Sequence, residues 1–306
     1  MRRLLLWMAG NRRLREWVPR LWFARRAVRR FMPGEDTTSA LEAAERFRRD
    51  RIGVLFTRLG ENLTRIEEAD GVADHYLGLY DEIERRGLDA EVSVKLTQLG
   101  LDLDVERAVA HAERLADRAA QLGDVLWVDM EGSAYTAATI EVYERLKATR
   151  PNVGIALQAY LKRTPEDIAR LLPLDPAIRL VKGAYAEPEE VALQGRDEVA
   201  EAFVQQAMQM VEGRHAGREV RIALGTHDVQ LIERIAREAA LLGVGRSQLE
   251  VQMLYGIRED QQRRLAQAGF PVRDLIAYGE HWYPWYMRRL AERPANVLFV
   301  LRQLLP

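Results

Sequence analysis

Short apolar runs recur along most of the chain, separated by stretches in which apolar residues repeat with the period of a helix. Eight such runs cover residues 52–60, 90–100, 125–131, 153–160, 177–185, 220–227, 249–256 and 272–279. Strands that alternate with helices are typical of βαβ units, whose strands are parallel. Eight units in about 250 residues predict an α/β fold of the closed (βα)8 TIM-barrel type.

The same pattern predicts one barrel preceded by a helical arm. We place the arm at residues 1–45 and the barrel at residues 46–306, since no linker or low-complexity tract follows residue 40. With 306 residues and 48% hydrophobic content, the chain can bury a large core. Neither GxGxxG nor GxxxxGK[ST] occurs, which argues against a dinucleotide fingerprint and a P-loop.

The net charge of −1 conceals a basic amino-terminal segment. Residues 1–34 contain ten arginines and one acidic residue, Glu16, which leaves about +9 there and about −10 elsewhere. The first apolar run is too short to span a bilayer, and the NRRLR that follows argues against a cleaved signal. We expect an amphipathic helix that packs on its own domain or contacts an anionic membrane surface.

The chain contains no cysteine, which excludes disulfides, thiolate catalysis and Cys-ligated metal centres. His227 has no second His or Asp at ligand spacing, so we predict no metal site.

Strand parity separates side chains that meet the helices from those that face the barrel axis. The inward parity carries polar residues toward the carboxyl ends of the strands, among them Ser93, Lys95, Asp129, Gln158, Arg179, His227 and Gln252. Charged groups inside a barrel are costly to desolvate unless they meet partners or a ligand. We therefore expect Lys95, Asp129 and Arg179 to line an active site, with a purely structural salt-bridge network as the alternative.

Two adjacent arginines follow the eighth run, in YPWYMRRLAERP (283–294). Pro284 suits a first helical turn and Pro294 interrupts a helix, which predicts a short helix with Arg288 and Arg289, then a second apolar helix. These cations and Lys95 would repel one another without an anion between them, and a carboxylate or a phosphate is suited to that place. A solvated pair on a helix surface is the alternative.

Seven motifs occur in order between about Leu59 and the carboxyl terminus. They are EVSVKLTQLG, LWVDME, ALQAYLKR, RLVKGAY, GTHD, EVQMLYGIRED and YPWYMRRLAERPANVLF. Together they resemble the proline dehydrogenase family in its monofunctional bacterial form. The resemblance implies a distorted (βα)8 barrel with FAD at the carboxyl ends of the strands. It also implies oxidation of L-proline to Δ1-pyrroline-5-carboxylate, the first step of proline degradation to glutamate, by hydride transfer from C5 to the flavin N5, with electrons passed to a quinone.

The resemblance further implies roles for individual residues. Asp129 and Arg179 would be catalytic, with Arg179 near the flavin N5 and Asp129 holding the geometry of the site. The substrate would contact Lys95, Arg288 and Arg289 through its carboxylate, Leu254 through its ring, and also Leu275 and the gating acid Glu61, which pairs with Arg288. FAD would contact Met130, Gln158, Lys182, Gly183, Ala184, Tyr185, Thr226, His227, Gln252 and Glu292.

The eighth run departs from the family pattern R-x-Y-x-P-x-G. It reads RDLIAYG, which places Leu275 at the tyrosine position with inward parity and Tyr278 on the outward parity. The missing phenol beside Asp129 predicts weaker proline binding or a wider pocket that admits a substituted ring such as hydroxyproline.

The sequence is also compatible with several other functions. They are a dehydrogenase of hydroxyproline or another cyclic amino acid, a barrel that binds a phosphorylated substrate, and a non-catalytic membrane-associated barrel. We expect a cytoplasmic protein without a nucleic-acid partner. The arm would allow a peripheral position on the cytoplasmic face of the inner membrane.

Overall fold

A computed structural model describes residues 2–60 and 63–292 of the chain. Its strands are β1 (Gly53–Arg58), β2 (Ala90–Val94), β3 (Leu126–Val128), β4 (Val153–Gln158), β5 (Ala177–Val181), β6 (Arg221–Gly225), β7 (Leu249–Leu254) and β8 (Val272–Tyr278). Its α-helices are α1 (Arg2–Gly10), α2 (Arg12–Trp17), α3 (Trp22–Val28), α4 (Thr37–Phe47), α5 (Ile66–Arg86), α6 (Val105–Leu122), α7 (Thr136–Lys147), α8 (Thr164–Leu171), α9 (Arg196–His215), α10 (Val229–Leu241), α11 (Glu259–Gln267) and α12 (Trp282–Glu292).

The strands form a closed parallel barrel in which each strand pairs with the next and β8 returns to β1. Each predicted apolar run contains one strand, so the (βα)8 prediction is confirmed. Parallel strands of one barrel point the same way, and all eight carboxyl ends therefore meet at one rim.

The main core lies between the barrel and its surrounding helices. Val92 and Val94 of β2 and Ile178 and Leu180 of β5 are completely buried in it. Full burial of a side chain of this size contributes about 1.5–3 kcal/mol. The alternate residues of the strands face the barrel axis, where Leu55, Trp127, Ala177 and Ala223 form a small apolar cluster.

Charged side chains close the amino-terminal end of the barrel. Arg221 donates to Glu91 and to Glu250, each at 2.6 Å, and the Arg273 guanidinium lies 3.6 Å from both acids. Trp127 Nε1 donates to Glu91 at 2.7 Å. This paired network occupies the rim opposite the carboxyl ends, where the active sites of such barrels lie.

The arm, expected to be amphipathic and helical, consists of several short helices. α1 ends at Gly10, and the Asn11 side chain caps α2 by accepting a hydrogen bond from the Leu14 N–H at 3.2 Å. Pro19 lies in a 3-10 turn, Val18–Arg20, between α2 and α3. A capping residue and a proline therefore divide the helical pattern.

The arm packs on α12 at the end of the described chain. Its shared apolar cluster includes Leu5, Ala9, Ala24, Ala27, Val28, Trp282, Tyr283, Tyr286, Met287 and Leu290. Helix α4 instead buries Leu41 and Phe47 in the main core. The expected boundary between residues 45 and 46 thus falls inside a helix that packs on the barrel. Among the described helices, none has the length and apolar content needed to cross a membrane.

Candidate active site

Three charged side chains meet at the carboxyl ends of β2, β3 and β5. Asp129 Oδ1 accepts a hydrogen bond from the Arg179 guanidinium, and Asp129 Oδ2 lies 3.4 Å from Lys95 Nζ. Ser93 Oγ donates to Asp129 Oδ1 at 2.7 Å. All four residues lie on the axis-facing side of the barrel, as strand parity predicts.

The surroundings of Asp129 keep its carboxyl group ionised. Burial by itself would raise the pKa of Asp129, but the positive charges of Arg179 and Lys95 and the hydrogen bond from Ser93 outweigh burial and hold the pKa below its usual range. A carboxylate with a depressed pKa is a weak proton acceptor. Asp129 is therefore suited to hold cations in place rather than to act as a general base.

Arg179 is held from several sides in the barrel interior. Its guanidinium donates to Ser93 Oγ at 2.8 Å and to Gln252 Oε1 at 3.4 Å, and it lies 5.3 Å from the centroid of the Trp127 ring. Gln252 is itself oriented by a 2.6 Å bond from its Nε2 to Glu250. These contacts fix a cation on the barrel axis before any ligand binds.

Lys95 makes a longer contact with Asp129 than Arg179 does. Its side chain is 8% exposed, and its contact with Asp129 is long for a charge-assisted bond. An ammonium group has three donor hydrogens, so this pairing leaves Lys95 able to bind a further acceptor.

Arg288 and Arg289 leave α12 in different directions. The Arg288 guanidinium is buried and lies 5.0 Å from the centroid of the Tyr185 ring. Arg289 is half-buried and lies 6.0 Å from the Trp285 ring one turn earlier in the same helix. Because Tyr185 follows β5, Arg288 is at the same rim as Lys95 and Asp129.

Gln158 ends β4 at this rim. Its Nε2 donates to the carbonyls of Met130 and Glu131, at 3.1 and 3.2 Å. Among the described residues, the buried Gln158 Oε1 has no hydrogen-bond partner. A buried acceptor in this state favours a donor from a bound molecule. The Met130 side chain packs against the main core, and its carbonyl accepts the bond from Gln158.

The segment after β5 carries further residues expected to bind a cofactor. Lys182 Nζ lies 3.1 Å from Asp228 Oδ2, and Ala184 and Tyr185 are half-buried. Gly183 has φ +110°, and a Cβ atom there would lie 2.2 Å from the Tyr160 ring. Only glycine combines this backbone angle with such close packing.

The ends of β6 and β7 complete the rim. Thr226 is buried and its hydroxyl accepts a hydrogen bond from the Asp228 N–H at 3.2 Å. The half-buried His227 accepts a bond from Arg258 through its carbonyl, at 2.8 Å. Leu254 packs against the apolar cluster of the arm and α12.

Some expected positions lie outside the residues that the structure describes. They are Glu61, the side chain of Glu292 and the second apolar helix expected after Pro294.

Leu275 lies in the barrel interior and packs on the cluster that contains Leu55 and Trp127. Tyr278 lies on the opposite side of β8, where its hydroxyl is 2.8 Å from His75 Nε2 and its ring meets the edge of Phe56. Tyr278 thus packs among the helices and cannot supply a phenol at the Leu275 position.

Two groups at the rim were given no role in the site from the sequence. Ser93 bonds both Asp129 and Arg179, and its inward parity was the available signal. Thr97 donates to the Glu131 carboxylate through its hydroxyl and its N–H, at 2.7 and 3.2 Å. Because a 3-10 helix, Leu96–Leu99, begins directly after Lys95, strand parity does not apply to Thr97.

Comparison with known proteins agrees with the fold and with the order of the motifs. A family model described as proline dehydrogenase matches residues 40–302. Proline dehydrogenase 1 of Bacillus subtilis (strain 168) is 34% identical over 308 aligned positions, which cover 100% of this chain and 99% of the relative. The proline dehydrogenase of Deinococcus radiodurans is 34% identical over 281 positions, 90% of this chain and 89% of its own.

Solved structures support the fold independently. The proline utilization A protein of Bdellovibrio bacteriovorus, inactivated by N-propargylglycine, superposes with a TM-score of 0.79 at 22% identity. The match covers 87% of this chain and 32% of that longer protein. With a family match across most of the sequence and relatives of equal length, the chain belongs to the proline dehydrogenase family of oxidoreductases.

Proposed function

We propose that this protein oxidises L-proline to Δ1-pyrroline-5-carboxylate with FAD as its cofactor and passes the electrons to a quinone. The observation that carries the proposal is the buried group of Lys95, Asp129 and Arg179 at the carboxyl rim of the barrel. This group has the position of a barrel active site and a cation able to take a further acceptor.

The residues at the rim fit a flavin. The buried Gln158 Oε1 can accept a hydrogen bond from a ring N–H of the flavin. We assign Met130, Gln158, Gln252, Thr226, His227, Glu292 and residues 182–185 to cofactor binding. When bound, FAD supplies a two-electron acceptor for oxidation of the carbon–nitrogen bond of proline.

The chain's own residues bind and orient the substrate in this proposal. Lys95, Arg288 and Arg289 bind the proline carboxylate, and Leu254 contacts the ring. Glu61 closes over the substrate by pairing with Arg288. Asp129 keeps Lys95 and Arg179 in place, and Arg179 stabilises negative charge that develops at the reaction centre. The substrate carboxylate balances cations that would otherwise repel one another.

The arm gives the proposed electron transfer a route to a membrane quinone. Leu4, Trp7, Trp17 and Trp22 are 58–72% exposed, and Arg13, Arg15, Arg20, Arg26 and Arg29 are also exposed. Exposed tryptophans beside arginines suit the boundary between lipid headgroups and acyl chains. We therefore assign the outer face of α1–α3 to peripheral contact with an anionic membrane.

Anaerobic reduction of the purified protein tests the main proposal. We expect a yellow flavoprotein whose flavin absorbance is bleached by L-proline. N-propargylglycine, which inactivated the Bdellovibrio protein, should inactivate this one, and proline should protect against it. A protein that does not take up FAD contradicts the proposal and favours a barrel with another ligand or none.

Substitution of Arg288 tests the carboxylate site. Arg288→Ala removes a buried, charge-assisted contact, and about 1.5–3 kcal/mol of binding corresponds to a KM for proline roughly 10- to 100-fold higher. Arg237→Ala, on the exposed face of α10, is the matched control and should leave KM unchanged. An equal KM for proline in both variants would show that Arg288 does not bind the proline carboxylate.

A further inference from the structure

Residues 182–195 join β5 to α9 and cross the carboxyl rim of the barrel. The Tyr160 backbone anchors both ends of this segment, since its N–H donates to the Lys182 carbonyl at 3.1 Å and its carbonyl accepts from the Leu193 N–H at 2.8 Å. A further bond of 3.0 Å joins the Lys162 N–H to the Val191 carbonyl. We call the residues between these anchors, 183–190, the strap.

The Glu187 carboxylate ties the middle of the strap to the segment after β3. Its Oε1 accepts from the Ser133 N–H at 2.7 Å, and its Oε2 accepts a short hydrogen bond from the Ser133 hydroxyl. Ser133 begins the 3-10 turn that leads into α7. A carboxylate at the start of a helical segment is favoured because the first N–H groups there lack helical partners.

This attachment lies two residues from Tyr185. The Tyr185 ring is a neighbour of the Arg288 guanidinium, with 5.0 Å between its centroid and Arg288 Cζ. An arginine over an aromatic face is attracted by the ring and is held in one orientation by it. The position of the strap at Glu187 therefore affects the orientation of the Arg288 guanidinium.

We propose that Glu187 is a positioning residue for substrate binding. It fastens the strap to Ser133, keeps the Tyr185 ring against Arg288, and so holds Arg288 ready for the substrate carboxylate. Glu187 itself does not touch the substrate. The inference rests on the proposed role of Arg288 in binding proline.

Steady-state kinetics with a matched control test the effect on the substrate. If Glu187→Ala leaves the competent arrangement populated at about one tenth, the KM for proline rises about tenfold while kcat changes less than about twofold. Glu187→Gln keeps one carbonyl acceptor for Ser133 and should recover part of the loss. Glu190→Ala removes an exposed carboxylate of the same strap and should behave as the wild type. A fall in kcat at unchanged KM would overturn the proposal.

Hydrogen exchange of the protein without substrate tests the attachment separately from activity. Glu187→Ala should accelerate exchange in peptides covering Ser133 and residues 184–190, and Glu190→Ala should not. Equal exchange in the two variants overturns the proposal. Faster exchange in Glu187→Ala, together with an Arg288→Ala variant of unchanged KM, overturns the link to substrate binding and assigns the failure to the role of Arg288.

Discussion

The Asp129 carboxylate is the single negative charge within a largely buried group that also contains Lys95 and Arg179. Removing one partner of such a group leaves the remaining charges buried without compensation, which costs several kcal/mol. The same arrangement explains why Asp129 stays ionised despite its burial. At the scale of single residues, the charges of the site partly neutralise one another, and the remaining positive charge favours a bound anion.

Leu275 offers a test of substrate choice at this scale. Leu275→Tyr places a phenol in the barrel interior, and one net hydrogen bond of about 1 kcal/mol from this phenol to Asp129 would raise kcat/KM for L-proline about fivefold. The same change narrows the pocket, so kcat/KM for trans-4-hydroxy-L-proline should fall. Both values are measured in the wild type and the variant.

Leu275→Phe is the control for that experiment, because it adds the ring without the hydroxyl. A gain for proline that is equal in the two variants would mean that ring packing, not a bond toward Asp129, limits proline binding. No gain with tyrosine would contradict the interpretation of Leu275 as a determinant of substrate choice.

At the scale of elements, the arm and the barrel meet at a close backbone contact. Gly256, directly after β7, has φ +71°, and a Cβ atom there would lie 1.6 Å from the Arg30 carbonyl oxygen. Through this contact, the segment between α3 and α4 packs on the loop between β7 and α11. The arm is therefore held by backbone packing as well as by the apolar face of α12.

Gly256→Ala should loosen this attachment. The added methyl group must displace the Arg30 backbone, and overpacking of this kind costs about 1–3 kcal/mol. We expect a lower Tm and faster proteolysis within residues 1–36. Gly243→Ala is the matched control, because Gly243 has a similar φ of +77° but open space around its Cβ position. Equal losses in both variants would assign the effect to backbone strain alone.

At the scale of the whole molecule, charge is separated between the arm and the barrel. The arm carries the basic excess and the exposed tryptophans, while its buried face covers α12, the helix that bears Arg288. A membrane contact through the arm would therefore lie one layer of helices away from the proposed substrate site.

Vesicle sedimentation tests this placement. The wild type should bind vesicles that contain anionic lipid, bind neutral vesicles much less, and dissociate as salt is added. A variant with Trp7→Ser, Trp17→Ser and Trp22→Ser should lose most of the binding. Leu241→Ser, at the most exposed large apolar side chain on α10, should not. Equal vesicle binding by the two variants would show that the arm does not contact the membrane.

The sequence by itself determined the barrel, because eight apolar runs at regular spacing allow few other parallel arrangements. It also determined which side chains face the axis wherever a strand is regular, since alternation follows from strand geometry. Lys95, Asp129 and Arg179 were found in this way. The pattern gave less where regular structure ends, since it did not predict the division of the arm into short helices.

Only the tertiary structure decided which distant groups pair. Ser133 and Glu187 lie on separate units of the barrel, Arg30 lies in the arm and Gly256 follows β7, and no local periodicity records either contact. The direction of Arg288 toward Tyr185 was likewise hidden, because it depends on how α12 packs across the rim. Local geometry follows from neighbouring residues, whereas these contacts exist only once the folded chain brings distant segments together.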